Sequence, residues 1–268
     1  AKVQRTNPSA SSIPGTDRDA TDSAMEFVVG HVDRPFFLYV HYMDVHQYLY
    51  ADTSPDWGTG FSDIYDSAIH WTDSNLGLLV ETLRGQGLLE KTIIVIAADH
   101  GEAFFEHGGE GHARDLYREV QDVPLIISLP FDLPQGVVVQ EPVANVDVWP
   151  TILDLVGLPP LPGAEGRSLL PLILEAGGVA GVDTTGLKGR ALYAQLDRSW
   201  GKTSVKNTDP IISILKDGYR LIQSRSDPAE VELFDHATDP GELRNIAGER
   251  PADVEAMRAA IAAYLEAK

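Results

Sequence analysis

The chain has 268 residues, of which 43% are hydrophobic, and its 21 Lys and Arg against 40 Asp and Glu give a formal net charge of −19. This length and apolar content suffice for a sizeable globular core. The acidic charge argues against nucleic acid and against an anionic membrane surface as partners, because both would repel it. The sequence has no cysteine, which excludes a disulfide, a thiolate nucleophile and a cysteine metal site within these residues.

The first 22 residues are polar and predict an extended arm before a first helix at about 22–30. They lack the apolar centre of a secretory signal, and no stretch of the sequence approaches the roughly 20 apolar residues that span a bilayer. The run "RPFFLYVHY" (34–42) is rich in aromatic and branched residues. It predicts a buried strand.

Apolar positions at helical spacing predict an amphipathic helix over 62–83, with Ser62 or Asp63 as its N-cap and Gly85 or Gly87 as its end. The continuous apolar run "KTIIVIAA" (91–98) predicts a strand covered on both faces. Strand, helix and strand in this order form a crossover unit. We therefore expect a parallel sheet.

The same domain continues with a short buried strand in "DVPLIISLP" (122–130) and a helix that is capped near Asn145 or Asp147 and ended by Gly157. A segment rich in glycine, proline and leucine follows. Beyond it, "ALYAQL", "PIISILKDGYRLIQS" and "EVELFDH" are strand-like, and Asp217-Gly218 is a strong hairpin signal. These strands should be antiparallel, with a final helix over 251–265 covering one face of their sheet.

The predicted fold class is therefore α/β, a mostly parallel sheet flanked by helices with a small C-terminal antiparallel sheet plus helix. The predicted domain division follows the change in pattern. Residues 1–160 form part of a larger α/β domain, 161–190 a crossing segment, and 191–268 a small α+β subdomain.

Titratable residues follow two of the predicted strands. The end of the first carries His41, Asp44 and His46, and the end of the second carries Asp99 and His100. The carboxyl ends of strands in an open parallel sheet gather such groups at one crevice. Asp99 and His100 offer a hard oxygen and an imidazole to a divalent metal. The alternative is that Asp99 caps the turn after its strand, and the spacing alone leaves both readings open.

Glu102 follows closely, and then His107 and His112 lie in a glycine-rich loop. Glycine at this density lets the backbone approach a ligand, but it also occurs in ordinary surface loops. Three histidines between positions 100 and 112 favour a site over an ordinary loop.

Four segments resemble one family. "TIIVIAADHGEAFFEHGGEGHARDLYREVQDVPLII" resembles the sulfatase segment in which a strand runs into Asp-His-Gly-Glu, a glycine-rich loop, a Leu-Tyr-x-Glu helix and a Val-Pro-Leu strand. "FFLYVHYMDVHQYLY", "VDVWPTILDLVGLP" and "ELFDHATDPGELRNIA" are similar to three further sulfatase motifs, in family order. The chain from about residue 20 onward thus resembles a sulfatase of the alkaline phosphatase superfamily, which implies an alkaline-phosphatase-like fold.

The resemblance implies roles for four residues. Asp99 and His100 match two ligands of the family's divalent cation, which is calcium in sulfatases and manganese or zinc in some phosphonate and phosphodiester relatives. His46 matches the histidine that contacts the sulfate near the leaving oxygen. His112 matches a position where lysine or histidine faces the non-bridging oxygens.

Two other histidines, His41 and His107, have no such assignment and are expected to be structural. Val45 and Tyr48 stand where the family has prolines. The loop around His46 is therefore expected to differ in shape from the family's, which affects where the substrate is placed.

The family's nucleophile is a formylglycine made within Cys/Ser-x-Pro-x-Arg, and it is expected upstream together with two further aspartate ligands. "SIPGT" (12–16) has Ser12 and Pro14 at the right spacing but Thr16 in place of arginine, so we reject it. These residues are expected to be the C-terminal portion of a sulfatase and to be inactive alone. An exposed sheet edge would favour association with the missing N-terminal segment or with another copy.

Three functions remain open at this stage. The first is hydrolysis of a small sulfate ester, the second hydrolysis of a phosphate ester or phosphonate by the same groups, and the third a non-catalytic module that keeps the scaffold. The upstream residue decides between them, since modifiable cysteine or serine favours sulfate and threonine favours phosphoryl transfer. The localisation stays unknown from the sequence, which carries no signal; the resemblance is compatible with a periplasmic or secreted protein. The acidic charge predicts neither nucleic acid nor membrane as a partner.

Overall fold

The computed structural model describes residues 16–51, 54–55, 57–131, 133–134, 136–197, 210–227 and 229–268. The rejected motif at Ser12 lies outside these residues. The helices are α1 Asp17–Val29, α2 Phe61–Gly85, α3 Arg118–Gln121, α4 Val148–Leu155, α5 Leu170–Ala176 and α6 Pro251–Glu266. The strands are β1 Ile94–Ala97, β2 Ala103–Phe104, β3 Glu110–Gly111, β4 Leu125–Ser128, β5 Leu192–Leu196, β6 Ile211–Lys216, β7 Tyr219–Ser224 and β8 Val231–Asp235.

The chain divides into two compact units. The first contains the chain up to Ile94 together with Ile127–Phe131, and the second contains Val95–Ile126 and everything after Phe131. Among the described helices, none combines the length and the apolarity needed to cross a bilayer. The predicted division at 160 and 190 stays a prediction.

The first unit is built on the packing of α1 against α2. Ala24 and Val28 of α1 form a buried cluster with Leu79 and Leu83 of α2. The helix predicted over 62–83 is confirmed as α2, and α1 begins earlier than expected. The backbone N–H of Gly60 donates to the Asp63 carboxylate over 3.0 Å, which caps the start of α2.

The strand predicted over 34–42 is wrong. Residues 35–43 are not part of a strand, although burial alternates along them. Phe36, Leu38 and Val40 pack on the α1–α2 cluster, whereas Phe37 and Tyr39 are exposed. This is the period of an extended chain covered on one face. A strand also needs a hydrogen-bonded neighbour, and the described residues supply none to this segment.

The two other predicted strands of the larger domain are confirmed as β1 and β4, each shorter than expected. They are neighbours in a two-stranded sheet. The helix predicted after them is also confirmed, as a 3-10 turn at Asn145–Asp147 that continues into α4. Gly157 ends it with φ of +70°, the conformation that favours glycine at a helix end. The crossing segment contains α5, which the sequence analysis did not predict.

The C-terminal sheet is antiparallel in the order β5-β6-β7-β8, as predicted. Asp217 and Gly218 connect β6 to β7 with φ of +52° and +80°. Positive φ at both positions is the geometry of a tight hairpin turn, and this is why the sequence signal was informative.

The two faces of this sheet cover different parts of the second unit. On one face Ile212, Ile214, Leu221 and Leu233 form a core with α6, as predicted. On the other face Ile211, Ile222 and Phe234 form a cluster with Leu116. The second face therefore packs against the segment that follows the glycine-rich loop.

Candidate functional site

The glycine-rich loop is a short hairpin. Ala103 of β2 pairs with Gly111 of β3, and Phe104 pairs with Glu110. At the open end of this ladder, His112 Nδ1 lies 3.1 Å from Glu102 Oε1. We call residues 102–112 the His112 hairpin, and His107 lies in the turn at its tip.

Asp99 and His100 lie directly beyond β1, as predicted. His100 Nδ1 is 2.8 Å from the carbonyl oxygen of Gly101. A carbonyl can only accept, so Nδ1 carries the proton and the neutral ring presents a lone pair at Nε2. Nε2 lies 3.8 Å from Asp99 Oδ2, on a carboxylate whose side chain is 81% exposed. The two donor atoms that a metal would use are therefore near one another at an accessible rim.

The capping alternative for Asp99 has less support. The backbone contact that the structure shows for its carboxylate is with the adjacent N–H of His100, at 3.1 Å. A contact with the next residue does not close a turn. The backbone at Gly101 instead packs closely against the segment of Glu119, because a Cβ on Gly101 would lie 2.1 Å from the Glu119 carbonyl oxygen. This packing, and not a cap by Asp99, constrains the chain after β1.

His112 lies beside the Asp99–His100 pair. The rings of His100 and His112 stack with centroids 4.1 Å apart and planes at 26°. Glu102 is buried, with a side chain that is 4% exposed, and it faces Nδ1 of His112. Glu102 can accept from Nδ1–H and so orient the ring, and Nε2 is then a second donor only when the ring is an imidazolium.

A metal would take only part of its ligands from this chain's described residues. In the part of the chain that the structure describes, no group of three or more histidine, aspartate or glutamate residues could hold a metal ion. One carboxylate and one imidazole with its tautomer fixed by a backbone carbonyl nevertheless form a suitable partial set. Among the candidate metals imidazole suits zinc, whereas calcium and manganese favour oxygen ligands.

His46 lies in the first unit, in a loop of residues 44–48 that we call the His46 loop. The loop closes through the N–H of Leu49, which donates to the carbonyl oxygen of Asp44 over 2.9 Å. Tyr48 has φ of +53°. The side-chain amide nitrogen of Gln47 lies 2.8 Å from His46 Nδ1. Because an amide nitrogen donates, Nδ1 accepts and Nε2 carries the proton.

Asp44 does not face the expected crevice, and this corrects the sequence analysis. Asp44 is 2% exposed, and its carboxylate accepts from the N–H groups of Thr16 at 2.7 Å and Asp17 at 3.2 Å. The indole N–H of Trp71 also donates to it, over 2.9 Å. Asp44 thus ties the His46 loop to the start of α1.

Asp17 makes the reciprocal contact. It is fully buried, and its Oδ1 accepts from the N–H groups of Met43 and Asp44 at 2.8 and 3.0 Å. The Thr72 hydroxyl donates to Oδ2 over 2.5 Å. Burial raises the pKa of Asp17 in spite of these hydrogen bonds. The remaining histidine of this segment, His41, is exposed and contacts Tyr39 and Met43, and its structural role stays a prediction.

His107 is held on both sides of its ring. Nδ1 lies 2.7 Å from Glu119 Oε1, and Nε2 lies 3.0 Å from the carbonyl oxygen of Glu242. The ring also stacks on Tyr117 with centroids 3.6 Å apart and planes at 9°. These contacts were not predicted from the sequence, although Tyr117, Glu119 and Glu242 all belong to the motifs that carried the resemblance.

Glu242 joins the C-terminal sheet to the segment after the hairpin. It is 1% exposed and has φ of +50°. Its Oε2 accepts from the N–H of Arg118 over 2.8 Å, and its Oε1 lies 2.7 Å from Arg220 Nε. Burial raises the pKa of Glu242, but His236, Arg220 and the Arg118 N–H outweigh that effect and the net pKa is lowered.

Comparison with known protein families agrees with the resemblance. The family model described as Sulfatase matches residues 3–158. The family model described as the C-terminal domain of N-sulphoglucosamine sulphohydrolase matches residues 106–267. Together the two matches extend over nearly the whole chain.

Among individual proteins, the chain is 33% identical to Bos taurus arylsulfatase K over 184 residues, which are 67% of this chain and 32% of that protein. It spans about a third of the curated relatives that it matches. The solved structure of BT4656 with its substrate D-glucosamine-2-N,6-O-disulfate is 28% identical with a TM-score of 0.62, covering 77% of this chain and 40% of that one.

A further solved structure, yidJ of Bacteroides fragilis, is similar in fold. It has a TM-score of 0.72 at 20% identity, covering 93% of this chain and 58% of that one. The chain thus shares the α/β fold of these proteins. Its own structure includes the small four-stranded antiparallel sheet. Since one family model matches more than half of the residues, the chain belongs to the sulfatase family.

Proposed function

We propose that this chain supplies part of the active site of an enzyme that hydrolyses a sulfate ester. The observation that carries the proposal is the grouping at the end of β1, where Asp99 lies beside His100 and the His112 ring stacks on the His100 ring. This grouping combines a metal-ligand pair with a donor for an oxyanion. Family membership supports the reaction class, and the catalytic nucleophile is proposed to be a formylglycine from outside these residues.

In this proposal Asp99 Oδ2 and His100 Nε2 hold a divalent cation. The Gly101 carbonyl supports this role for His100, because it fixes the tautomer that leaves Nε2 as the acceptor. A bound cation would neutralise charge on the reacting oxygens. Calcium is proposed from the resemblance, with manganese and zinc as alternatives, of which zinc is the one that an imidazole ligand favours.

His112 is proposed to bind a non-bridging oxygen of the ester. Acting as an imidazolium, His112 would direct Nδ1–H to Glu102 and donate Nε2–H to an oxygen on which negative charge increases in the transition state. Because the Glu102 carboxylate is buried, the ring orientation is set before the substrate arrives.

His46 is proposed to protonate the leaving oxygen. The Gln47 amide donates to Nδ1, so the tautomer with a proton at Nε2 is favoured. A histidine that presents an N–H is suited to act as a general acid toward an alkoxide. The buried contacts of Asp44 hold the loop that carries it.

The substrate is proposed to be a small sulfated sugar, because BT4656 is solved with D-glucosamine-2-N,6-O-disulfate as its substrate. We further propose that β1 and β4 belong to a larger, mostly parallel sheet flanked by helices. Residues 1–160 would contribute to that sheet's domain, 161–190 would be the crossing segment, and 191–268 the small subdomain.

The decisive experiment uses a form of the protein that includes the nucleophile. Asp99→Ala is expected to lose both the bound metal and sulfate release, whereas the matched control Asp183→Ala, an exposed residue, should keep both. His112→Ala should keep the metal and lose about 10²- to 10³-fold in kcat, the scale of removing one oxyanion donor. Metal content is measured by elemental analysis and turnover by sulfate release. Retention of the metal by Asp99→Ala would contradict the proposal.

The ester class is tested with one pair of substrates. The same sugar is supplied as a sulfate monoester and as a phosphate monoester, and release of each anion is measured. The proposal expects the sulfate ester to be hydrolysed with the larger kcat/KM. A preference for the phosphate ester would overturn it.

A further inference from the structure

The three histidines between positions 100 and 112 include one that the proposed function leaves without a role. His107 lies at the tip of the His112 hairpin, and its side chain is 12% exposed. Both of its ring nitrogens face oxygen atoms, at Glu119 Oε1 and at the Glu242 carbonyl. The arrangement determines the protonation state of the ring.

The Glu242 carbonyl can only accept a hydrogen bond, so His107 Nε2 must carry a proton. The partner of Nδ1 is a carboxyl group, and a single proton lies between it and the ring. Free histidine has a pKa of about 6.5 and free glutamate about 4.3, so the proton belongs on the ring. His107 is then an imidazolium that donates from both nitrogens to Glu119 and Glu242.

We propose that His107 is a positioning residue, an imidazolium clamp between Glu119 and Glu242 that fixes the tip of the His112 hairpin and thereby the orientation of His112. The clamp itself stands on the contacts of His107. Its consequence for catalysis rests on the proposed function of His112.

The hairpin can transmit this constraint because it is short and directly paired. Two ladder pairs, Ala103 with Gly111 and Phe104 with Glu110, separate the tip from the open end. Glu102 and His112 are the next residues on the two strands, and they contact each other. Movement of the tip therefore changes the geometry of the pair that faces the candidate substrate.

The surroundings of His107 favour the cation. Glu119 on α3 and Asp115 on the connection before it are the acidic groups that face the ring, and Tyr117 stacks on it. From the segment after β8, Glu242 presents its carbonyl, while its carboxylate is occupied by Arg118 and Arg220. Burial lowers the pKa of His107, but the hydrogen bonds to Glu242 and Glu119 outweigh it and the net pKa is raised.

The first experiment observes the clamp in the unmodified 268-residue chain and needs no turnover. The ¹⁵N chemical shifts of the His107 ring are measured by NMR over a pH series and compared with those of a free histidine peptide, whose pKa is about 6.5. Both His107 nitrogens should still carry protons at pH values where the peptide has begun to lose one. Loss of a ring proton from His107 at or below the pH at which the peptide loses it overturns the proposal.

The second experiment tests the hairpin with variants. His107→Phe keeps a ring for the stack on Tyr117 and removes both donors, His107→Arg keeps a cation with several donors, and His41→Phe is the matched control. Amide exchange of Gly111 and His112 should accelerate at least about tenfold in His107→Phe, as expected for local opening. It should stay close to the original rate in His107→Arg and His41→Phe.

Amides of β6 and β7 provide the internal reference for this comparison. They should exchange at unchanged rates in all three variants, because they belong to the sheet core and not to the hairpin. Equal acceleration of the sheet and the hairpin in His107→Phe, or no acceleration at Gly111 and His112, would overturn the clamp.

The link to catalysis is measured separately, in a form of the protein with the nucleophile. There His107→Phe should lower kcat more than it raises KM, and His107→Arg should restore kcat, since His112 acts in the transition state. An unchanged kcat in His107→Phe overturns the positioning role. Absence of sulfatase activity in the unmodified protein would instead contradict the proposed function, while the ring protonation would still report on the clamp.

Discussion

The His46 loop and the His112 hairpin are supported by opposite chemistry. Around the His46 loop, the buried carboxylates of Asp17 and Asp44 accept hydrogen bonds from backbone N–H groups of each other's segments. At the His112 hairpin, one histidine donates to two acceptors. In both regions the candidate catalytic histidine is held in place by a charged residue that has no part in the proposed chemistry.

The difference lies in how each support responds to pH. Backbone N–H groups do not titrate, so the His46 loop keeps its donors at every pH near neutrality. The His112 hairpin depends on a proton at His107, and this support is lost when that proton leaves. The two regions should therefore separate when the chain is perturbed by substitution or by pH.

The largest expected effect comes from Asp44→Asn. Both oxygens of Asp44 accept from N–H donors, Thr16 on one and Asp17 with Trp71 on the other. An amide would turn its own NH₂ toward one set of donors, which should lower the free energy of unfolding by about 3 kcal/mol. Chemical denaturation followed by tryptophan fluorescence measures this change.

Asp17→Asn is the matched control for that substitution. Its Oδ2 faces the Thr72 hydroxyl, which can reverse its role and accept from an amide. It should therefore cost less than Asp44→Asn. If the two variants are equally destabilised, the asymmetry between the carboxylates is wrong.

The second effect in size is expected for Glu242→Gln, in the other region. The amide oxygen can still accept from the Arg118 N–H, but its NH₂ would face the buried Arg220 guanidinium. The free energy of unfolding should fall by about 2 kcal/mol. The exposed residue Glu230 gives the control, Glu230→Gln, which should change it little. Denaturation midpoints compare the two, and equal midpoints would argue against a special role for Glu242.

Whether a feature of the fold or of the candidate site could be predicted depends on how far apart in sequence its residues are. The β6–β7 hairpin and the Asp99–His100 pair are local, so Asp217-Gly218 and the run ending at Ala98 were sufficient signals. The clamp joins His107 to Glu242, which are 135 positions apart. No periodicity or spacing reports such a contact.

The strand predicted over 34–42 was wrong for a related reason. Its composition is that of a strand, but strand formation depends on a neighbour that composition does not specify. Asp44 was assigned to the crevice because it follows the same predicted strand as His46. Its side chain instead turns inward, since the N–H groups at the start of α1 need an acceptor.

The third prediction uses pH to separate the two regions. Because the folded chain raises the pKa of His107, its stabilising contribution is complete below the unfolded value of about 6.5 and is lost as pH rises through the folded value. Alkaline pH should therefore lower the protection of the Gly111 and His112 amides, by about 1 kcal/mol for one hydrogen bond after correction for intrinsic exchange.

The His46 loop provides the contrast within the same sample. Asp17 has a raised pKa, so its contribution is greatest below its unfolded value of about 3.9 and declines as pH rises through the folded value. The change at the His46 loop should therefore follow the ionisation of Asp17 and not the loss of a histidine proton. His107→Arg should remove the alkaline loss from the hairpin, and persistence of that loss in His107→Arg would assign it to another group.

The smallest expected effect is that of Tyr117→Phe, which divides the support of His107 into its two parts. The Tyr117 hydroxyl donates to Glu232 over 2.8 Å, and its ring stacks on His107. Burial and Glu232 raise the pKa of Tyr117, so the hydroxyl stays a neutral donor across the working range.

Phenylalanine at position 117 keeps the stack and loses the hydrogen bond, which should cost about 1 kcal/mol of unfolding free energy. Tyr264→Phe is the control, because its hydroxyl accepts from Gln195 in a long, exposed contact of 3.4 Å. If the two hydrogen bonds that His107 donates to Glu119 and Glu242 hold the hairpin, amide exchange at His112 stays unchanged in Tyr117→Phe. Faster exchange there would show that the Tyr117–Glu232 bond, and not the His107 clamp alone, fixes the tip.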